Sequence, residues 1–471
     1  MRSSLFGLLY LVAYCLNVFV LGKSTTGDRV LIVLDDLESR NNYSNLWRSL
    51  QERSFKLQFK AADDASLEVT VPQERIFDHA IIFAPKSKTL WNKAGAVKLV
   101  DFVKLGGNLL IGADPSLTEQ LRDFAREFEI EFDERDTWAI DHAGYDPRLD
   151  EGKHQTLVSN HFGPNAHTIL GADVISGPPV LYKGIAHGLG QGTLLSPILV
   201  AGRTAYSAEV KDEPVEDDVW LTGNGVKLVS AMQARNSARI TFAGSLDLFS
   251  DRFWKSKASH YAADSALFDK QYNMNISESV VEHEQSGNAE FVKELTRWTF
   301  QEKGVLKISQ VHHHKTEETE QLSMYRMKDN ITYTIDISEY VNDAWVPFNV
   351  TDVQLEVRML DPYIRTTLRP LSPVTNEKGD KALRYSMQLQ LPDVYGVFTF
   401  LVNYKRPALT YLEHRDVVTI RHFRHSEYPR FLSMAYPYYA SAASMGVGFL
   451  VFSAVWLGSW GREGWKVKKA K

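Results

Sequence analysis

A long uncharged segment near the C-terminus constrains this chain more than any other feature. Residues 438–460 contain no Asp, Glu, Lys or Arg. As a helix, this window would be roughly 35 Å long, which is enough to cross the hydrocarbon core of a bilayer. Tyrosines cluster at its first end and tryptophans at its last end, as in the aromatic belts of membrane spans. We therefore predict one transmembrane helix over residues 438–460, and the alternative is a long buried core helix.

The first half of this segment is rich in small residues. Ala442 and Gly446 are four residues apart, and so are Ser444 and Gly448. Small residues at this spacing allow a second helix to approach closely, and lipid supplies no hydrophobic drive for helices to associate. We expect these four positions to face partner helices, and the alternative is a chance pattern in an alanine-rich stretch.

The N-terminus indicates entry into the secretory pathway. Arg2 is followed by an apolar run over residues 5–21, and Val20 and Gly22 have the spacing of a cleavage site. A basic start, an apolar run and a small residue at its end are typical of a signal peptide. We predict a signal peptide over residues 1–22, with a retained signal anchor as the alternative.

The segment after the predicted span is basic. Residues 461–471 carry five lysines and arginines against one glutamate, and basic flanks remain on the cytosolic side of a membrane. Together with a signal peptide, this predicts a type I membrane protein. Its large N-terminal part would be lumenal, and residues 461–471 would form a cytosolic tail.

The last four residues suggest a compartment. Lys468 and Lys469 stand at the fourth and third positions from the C-terminus, a spacing that resembles the di-lysine retrieval signal of endoplasmic reticulum membrane proteins. The alternative is a plain basic cluster that binds anionic lipid headgroups. We predict a protein of the endoplasmic reticulum membrane.

Composition excludes several classes of protein. The mean hydropathy of −0.25 argues against many membrane spans, and the net charge of −5 argues against a basic nucleic-acid binder. The single cysteine, Cys15, lies within the predicted signal peptide, which excludes a disulfide scaffold, a cysteine zinc site and an iron–sulfur cluster. We predict neither a cofactor nor a metal site.

Short apolar strands alternate with helices in the first part of the chain. The predicted strands are residues 30–34, 55–59, 78–83, 108–112 and 239–244, and the predicted helices are residues 44–53, 94–105, 116–128 and 291–302. Apolar strands that alternate with helices indicate a parallel sheet covered on both faces. We predict a doubly wound α/β domain over residues 23–304.

The pattern changes to alternating strands from about residue 305. The predicted strands are residues 332–337, 353–359, 382–390, 397–404 and 416–421, separated by turn-forming clusters. Such spacing predicts a β-sandwich domain over residues 305–430. The polar stretch 312–320, which contains three consecutive histidines, is predicted to be a linker.

Several polar residues follow the predicted strands of the α/β domain. Ligands bind at the carboxyl ends of strands in such sheets, where we expect Asp35, Asp36, Asp114, Ser245 and Asp247. Carboxylates in one crevice could bind a cation or act as acid and base; the alternative, which we favour, is that they cap turns and helices. Because the sequence contains no Gly-x-Ser-x-Gly elbow, we assign no catalytic residue.

Four Asn-X-Ser/Thr sequons lie before the predicted span, at Asn42, Asn275, Asn330 and Asn349. A lumenal location would expose them to glycosylation. They are candidate glycosylation sites of a glycoprotein.

Several longer motifs resemble those of the 48 kDa subunit family of the eukaryotic oligosaccharyltransferase. They are residues 233–239 (QARNSAR), 242–251 (FAGSLDLFSD), 345–348 (WVPF), 361–363 (DPY), 391–398 (LPDVYGVF) and 435–441 (AYPYYAS). Residues 30–35, 106–108 and 131–134 also fit the family. The resemblance covers essentially the whole chain.

This resemblance implies a non-catalytic subunit of the complex that moves a preassembled glycan from dolichyl diphosphate to Asn-X-Ser/Thr of nascent chains. It implies a lumenal glutamine-amidotransferase-like α/β domain without the cysteine. It also implies three neighbours: the multispanning catalytic subunit, a ribophorin II-like subunit and the small defender-against-cell-death subunit. The alternatives from the residues alone are a glycan-binding cargo receptor, or a hydrolase using a crevice formed by Asp35, Asp114 and Asp247.

Overall fold

The computed structural model describes residues 24–64, 67–71, 74–210, 219–261, 280–341, 343–376 and 379–467. Three features predicted above lie outside the described residues. These are the signal peptide over residues 1–22 with its Cys15, the sequon at Asn275, and the two retrieval residues Lys468 and Lys469.

Strands and helices alternate before residue 300. The strands are β1 (Arg29–Leu34), β2 (Lys56–Ala61), β3 (Thr70–Val71), β4 (Glu74–Arg75), β5 (His79–Phe83), β6 (Asn108–Gly112), β7 (Ile130–Phe132), β8 (Thr137–Ile140), β9 (Leu157–Ser159), β10 (His161–Phe162), β11 (Val180–Tyr182), β12 (His187–Leu189), β13 (Leu195–Val200), β14 (Tyr206–Glu209), β15 (Lys227–Gln233), β16 (Arg239–Ala243), β17 (Ala258–Tyr261) and β18 (Val280–His283). The helices are α1 (Ser44–Glu52), α2 (Lys93–Lys104), α3 (Glu119–Arg126), α4 (Ala166–Leu170), α5 (Ala172–Ile175), α6 (Asp251–Lys255) and α7 (Asn288–Thr299). The strands and helices predicted for this part are present, with ends that differ by a few residues.

The main sheet is mixed. Its order is β10-β13-β15-β16-β6-β5-β1-β2, with β12 and β7 attached beside β15. The five strands from β16 to β2 are parallel, whereas β15 and β13 run antiparallel to their neighbours. The prediction of a parallel sheet therefore holds for the five strands from β16 to β2 and is wrong for β15 and β13. The reason is the tight turn 234–238 between β15 and β16, in which Ala234 N–H donates to Ala238 O at 2.8 Å; a parallel connection needs a much longer crossover.

Helices cover both faces of the parallel strands. Alternate residues of β1 enter two different cores, because successive strand side chains point to opposite faces. Val30 and Ile32 pack with residues of α1 and α7, whereas Leu31 and Val33 pack with residues of α2 and α3. The continuous apolar run in β1 follows from burial on both faces.

Helix α2 shows how the sequence sets an element's ends. The Asn92 side chain caps its start by accepting from Gly95 N–H at 2.8 Å. The helix stops before Gly106, whose φ of +90° lies in a region that other residues rarely adopt. At the following Gly107, a Cβ atom would lie 2.4 Å from the Phe102 ring. The predicted helix stop at these two glycines is confirmed.

The chain after residue 304 forms two five-stranded sheets. The strands are β19 (Val305–Lys315), β20 (Met324–Arg326), β21 (Asn330–Val341), β22 (Ala344–Pro347), β23 (Gln354–Arg358), β24 (Pro362–Thr367), β25 (Arg369–Thr375), β26 (Lys381–Gln390), β27 (Gly396–Tyr404) and β28 (Leu412–Arg421). One sheet has the order β19-β21-β26-β25 with β22 beside β21, and the other has the order β20-β28-β27-β23-β24. Inward side chains of both sheets form one core, and residues 305–421 are called the two-sheet region below.

The prediction of a linker over residues 312–320 is wrong for its three histidines. They belong to β19, which pairs with β21 along nearly its whole length. His313 is 2% exposed because it points into the two-sheet core. Its ring nitrogens there lie 2.7 Å from the Tyr325 hydroxyl and 2.9 Å from Asp416 Oδ2. A polar side chain can occupy a buried strand position when other side chains satisfy its hydrogen-bonding groups, as Tyr325 and Asp416 do here.

The last helix, α8 (Tyr436–Val467), contributes no described side chain to the three hydrophobic cores given above. The stretch Ser433–Ser459 is the one candidate membrane span in the described part of the chain, and none of its apolar window is buried. The alternative of a buried core helix is therefore wrong. The helix continues beyond residue 460, so the first residues of the predicted tail are helical.

Candidate functional site

Three aspartates meet at the carboxyl edge of the parallel strands. Asp35 follows β1, Asp114 lies two residues after β6, and Asp247 lies four residues after β16. Their carboxylates are close enough to the Tyr43 hydroxyl for all three charges to raise its pKa. The proximity of these aspartates expected from strand order is therefore present. We call these four residues the aspartate crevice.

The carboxylates of Asp35 and Asp114 are held by loop groups. Asp35 Oδ2 accepts from the backbone N–H of Lys86 at 3.1 Å, while its burial raises its pKa. Asp114 Oδ1 accepts from the backbone N–H and the hydroxyl of Ser116, at 2.9 and 2.7 Å. The neighbouring Asp36 caps a 3₁₀ helix by accepting from Glu38 N–H at 3.0 Å. Asp36 and Asp114 therefore cap a helix and a turn as expected, whereas Asp35 links two loops.

Asp247 differs from the other two aspartates. Burial raises its pKa, and the nearby charge of Asp114 raises it further, whereas the Lys183 and Arg252 cations lower it. Within the described residues, its carboxylate has no hydrogen-bond donor. Its chemistry is that of a half-buried carboxyl group whose charge is only partly compensated.

Tyr43 forms the inner wall of the crevice. Its side chain is 7% exposed, and its ring packs against Phe83 at 5.2 Å and Trp47 at 6.0 Å between centroids. Burial is the main reason that its pKa is raised, with the three carboxylates adding to it. The hydroxyl therefore stays protonated, and it can donate a hydrogen bond but cannot serve as a base at neutral pH.

The described residues around the crevice include no metal-binding cluster, and the serine that follows β16 makes structural contacts. No group of three or more His, Cys, Asp or Glu with metal-binding geometry occurs in the described ranges. Ser245 is fully buried, its hydroxyl donates to the Lys183 carbonyl, and it accepts from Leu248 N–H at 3.2 Å. This hydroxyl ties two loops together and faces no general base.

The three described sequon asparagines, Asn42, Asn330 and Asn349, are all exposed. Asn42 lies in the 3₁₀ helix Leu37–Tyr43, Asn330 is the first residue of β21, and Asn349 lies in the loop that follows β22. The Ser44 hydroxyl of the first sequon donates to Asp251.

The small residues of α8 form two open pairs, Ala442 with Gly446 and Ser444 with Gly448, on nearly opposite faces of the helix. A Cβ atom added at Gly446 or Gly448 would meet no atom within 4 Å outside the helix itself. Ala442 and Ser444 are also exposed, and the Ser444 hydroxyl is engaged by the carbonyl of Ser441 at 2.8 Å. Each of the two pairs therefore leaves a shallow place on the surface of α8.

Two family profiles match nearly all of the chain. The profile described as the N-terminal domain of OST48 matches residues 21–302, and the OST48 middle domain matches residues 312–460. The chain belongs to the OST48 family. The first matched range includes the aspartate crevice, and the second covers the two-sheet region from residue 312 onward.

Curated relatives in the OST48 family are similar along their whole length, and each is named as the 48 kDa subunit of dolichyl-diphosphooligosaccharide–protein glycosyltransferase. The Arabidopsis thaliana relative is 36% identical over 92% of this chain and 93% of its own. The Caenorhabditis elegans relative is 38% identical over 91% of both chains. The Danio rerio relative is 36% identical over 94% of this chain and 95% of its own.

A solved ThuA-like protein from Parabacteroides merdae is 13% identical to this chain. The match covers 46% of this chain and 77% of that protein, with a TM-score of 0.24. This similarity is too low to carry an argument about the fold of the OST48 family member described here.

Sequence patterns did not reveal every residue of the crevice in this OST48 family member. Local sequence does not single out Tyr43, because this last residue of the 3₁₀ helix reaches the aspartates only when α1 packs on the sheet. Lys183 lies far from the three aspartates in sequence, on the loop between β11 and β12. The Ser245 contact links that loop to the end of β16. A tyrosine within an aromatic cluster that includes Trp47 was the one available signal for Tyr43.

Proposed function

We propose that this chain is a subunit of the oligosaccharyltransferase complex. The complex transfers a preassembled glycan from dolichyl diphosphate to asparagine in Asn-X-Ser/Thr sequences, and the chain supports its assembly and full activity. The observation that carries the proposal is identity of 36–38% to relatives named as its 48 kDa subunit, over at least 91% of this chain and of each relative. Similarity of that extent leaves no large segment unmatched in which a separate activity would reside.

We propose that the subunit is non-catalytic. The state of the aspartate crevice supports this: two carboxylates are engaged by loop donors, and the Ser245 hydroxyl is bound to a carbonyl. In this account, the reaction centre belongs to the multispanning catalytic subunit. The ribophorin II-like subunit and the small defender-against-cell-death subunit are the other proposed neighbours.

We also propose the type I orientation in the endoplasmic reticulum membrane. Residues 1–22 would be removed, the regions before α8 would be lumenal, and Lys468 and Lys469 would return escaped protein. The α/β part would be a doubly wound, glutamine-amidotransferase-like domain over residues 23–304, followed by a sandwich domain over residues 305–430. The layered helices on both faces of the sheet support the first of these assignments.

The open small-residue positions on α8 support the proposal that this helix packs against partner helices. Ala442, Ser444, Gly446 and Gly448 leave room for a second backbone to approach, which is how helices associate in lipid. The exposed sequons at Asn42, Asn330 and Asn349 have room for a glycan if they are used.

The experiment that tests this function is a rescue of depleted cells. The native chain is depleted in its own cell type, and the glycan occupancy of client proteins with weak sequons is measured by mass spectrometry. Re-expression of the full chain should restore occupancy, and so should the variant Asp35→Asn, Asp114→Asn, Asp247→Asn if its abundance is matched. Occupancy that is unaffected by depletion would refute the proposed role. Normal complex abundance with no rescue by the triple variant would instead point to chemistry in the crevice.

A further inference from the structure

The two-sheet region carries exposed apolar side chains at one end. Leu360, Tyr395 and Val397 are 83%, 68% and 57% exposed. Met359 and Tyr363 stand beside them and are also exposed. We call these five side chains the apolar rim. Exposed apolar side chains that cluster mark a contact surface, whereas single ones need no explanation.

The rim is formed by two turns that touch. Residues 359–361 connect β23 to β24, and the other turn leads into β27. A Cβ atom added at Gly396 would lie 2.9 Å from Met359 Sδ. The Tyr363 ring packs on Phe398 with centroids 5.4 Å apart. The two segments that carry the rim are therefore in contact with each other.

The rim lies at the end of the sheet from which the chain departs toward α8. Gly396, the first residue of β27, pairs with Ile420, and β28 ends one residue later at Arg421. The Tyr395 ring lies 5.9 Å from the His422 ring, directly after that strand. The exit of the chain and the apolar rim therefore share one end of the region.

The free connection to α8 is short. The residues directly after β28 pack against the end of the two-sheet region that carries the rim. Arg421 and Glu427 form a bidentate ion pair with both N–O distances at 2.7 Å. The Phe423 ring packs on Tyr428 at 5.4 Å. Only residues 429–435 then separate this anchored segment from the start of α8. Fully extended, such a segment reaches at most roughly 28 Å.

The connection is in fact less than fully extended. The Phe431 ring contacts the Tyr439 ring of α8 with centroids 6.1 Å apart, and Ala435 N–H donates to Leu432 O at 3.0 Å. If α8 crosses a bilayer, the leaflet at its N-terminal end is within reach of the rim. The membrane is therefore the favoured partner of the rim, because the short connection to α8 limits the distance between the rim and that leaflet.

We propose that the apolar rim inserts into the headgroup layer of the leaflet at the N-terminal end of α8. The inference rests on the proposed function in one respect, namely that α8 spans the membrane. Tyrosine suits this layer because its ring is apolar and its hydroxyl is hydrated, and Leu360 gains by leaving water. The rim and α8 then form two attachments that fix the orientation of the two-sheet region relative to the bilayer.

The experiment measures the depth of spin labels on the full chain in lipid nanodiscs. In a Cys15→Ser background, a nitroxide is attached to Leu360→Cys or to Tyr395→Cys, and its relaxation by oxygen and by a water-soluble nickel complex is compared. The matched control is Asn403→Cys, which is exposed on the same strand as Val397, roughly 20 Å along it. Val447→Cys in α8, near the middle of the membrane span, reports separately on the bilayer interior.

We expect the oxygen-to-nickel ratio at positions 360 and 395 to exceed that at position 403 severalfold, and to stay below the ratio at position 447. Ratios at 360 and 395 equal to that at 403, with a lipid-like ratio at 447, would overturn the inference and leave the rim as a contact for a protein partner. An aqueous ratio at 447 would refute the membrane span, and the inference with it.

Discussion

Arg239 and Trp298 join the α/β part of the chain to the two-sheet region. The guanidinium carbon of Arg239 lies 4.7 Å from the indole centroid of Trp298, and its Nη1 donates to the Trp298 carbonyl at 2.7 Å. Further N–H groups donate to the carbonyls of Lys303 and Gly304, each at 2.7 Å. Burial lowers the pKa of Arg239 to about 9. One buried cation thus fastens the segment that leads into β19.

Arg239→Met should therefore lower the free energy of unfolding, by about 3 kcal/mol, because it leaves several buried carbonyls without donors. The measurement is thermal unfolding of the full chain in detergent, followed by tryptophan fluorescence. The matched control is Arg235→Met, since Arg235 is exposed and lies four residues earlier in the turn before β16. Equal midpoints for the two variants would contradict this role of Arg239.

Two buried histidines should make the α/β part sensitive to mild acid. Burial lowers the pKa of His79 to about 4 and that of His187 to about 3. The unfolded chain binds these protons near pH 6.5 and the folded chain does not, so stability is lost as the pH falls from 6.5 toward 4.5. Each histidine should contribute about 2 kcal/mol of this loss.

The check is the unfolding midpoint as a function of pH for His187→Gln, which keeps a polar side chain near Ser230. The variant should have a shallower acid dependence between pH 6.5 and 4.5 than the wild-type chain. His161→Gln, at an exposed position of β10, serves as the control and should keep the full dependence. Identical slopes for all three proteins would show that buried His187 does not control this transition.

The aspartate crevice should respond to substitution as a structural feature. Asp114→Ala removes the acceptor of two hydrogen bonds from Ser116 and should cost about 1 kcal/mol. Asp247→Asn removes a partly buried charge near Asp114 and should leave stability equal or slightly higher. Unfolding midpoints and complex abundance measure both effects. Lower stability for Asp247→Asn than for Asp114→Ala would contradict this view.

The small residues of α8 lead to a prediction about assembly of the complex. Gly446→Leu with Gly448→Leu keeps the helix apolar, so insertion should be unchanged, but the added bulk should block close approach of partner helices. Blue-native electrophoresis should reveal less of the chain in the large complex. Val447→Leu with Val451→Leu is the control, since it also introduces two leucines but replaces side chains that are already large. Complex of normal abundance from the glycine double variant would mean that regions before α8 hold the subunit in place.

Much of the fold follows from local patterns. The apolar run and the glycine after it predict β6 at residues 108–112, as the structure has it. The short strands between β7 and β15 were not predicted, because β9 and β10, for example, are only two or three residues long and gain stability only from neighbours distant in sequence. The antiparallel β15 was also not predicted, although it has seven residues and pairs with β16, the next strand in the chain.

The site was predictable where topology alone determines position. Asp35, Asp114 and Asp247 follow strands that end at one edge, so their proximity could be inferred from strand order. Tyr43 and Lys183 reach the crevice through packing and loop contacts that no local pattern encodes. His313 is the opposite case, since a polar triplet hid a buried strand position whose partners, Tyr325 and Asp416, come from other strands.

The most direct test of the central claim is the composition of the native assembly that contains this chain. The tagged full chain is captured from membranes of its own cells in a mild detergent, and the co-purifying subunits are quantified by mass spectrometry. The account predicts a stoichiometric complex that includes the multispanning catalytic subunit, the ribophorin II-like subunit and the small defender-against-cell-death subunit. A chain recovered alone, or with membrane proteins unrelated to glycan transfer, would contradict it.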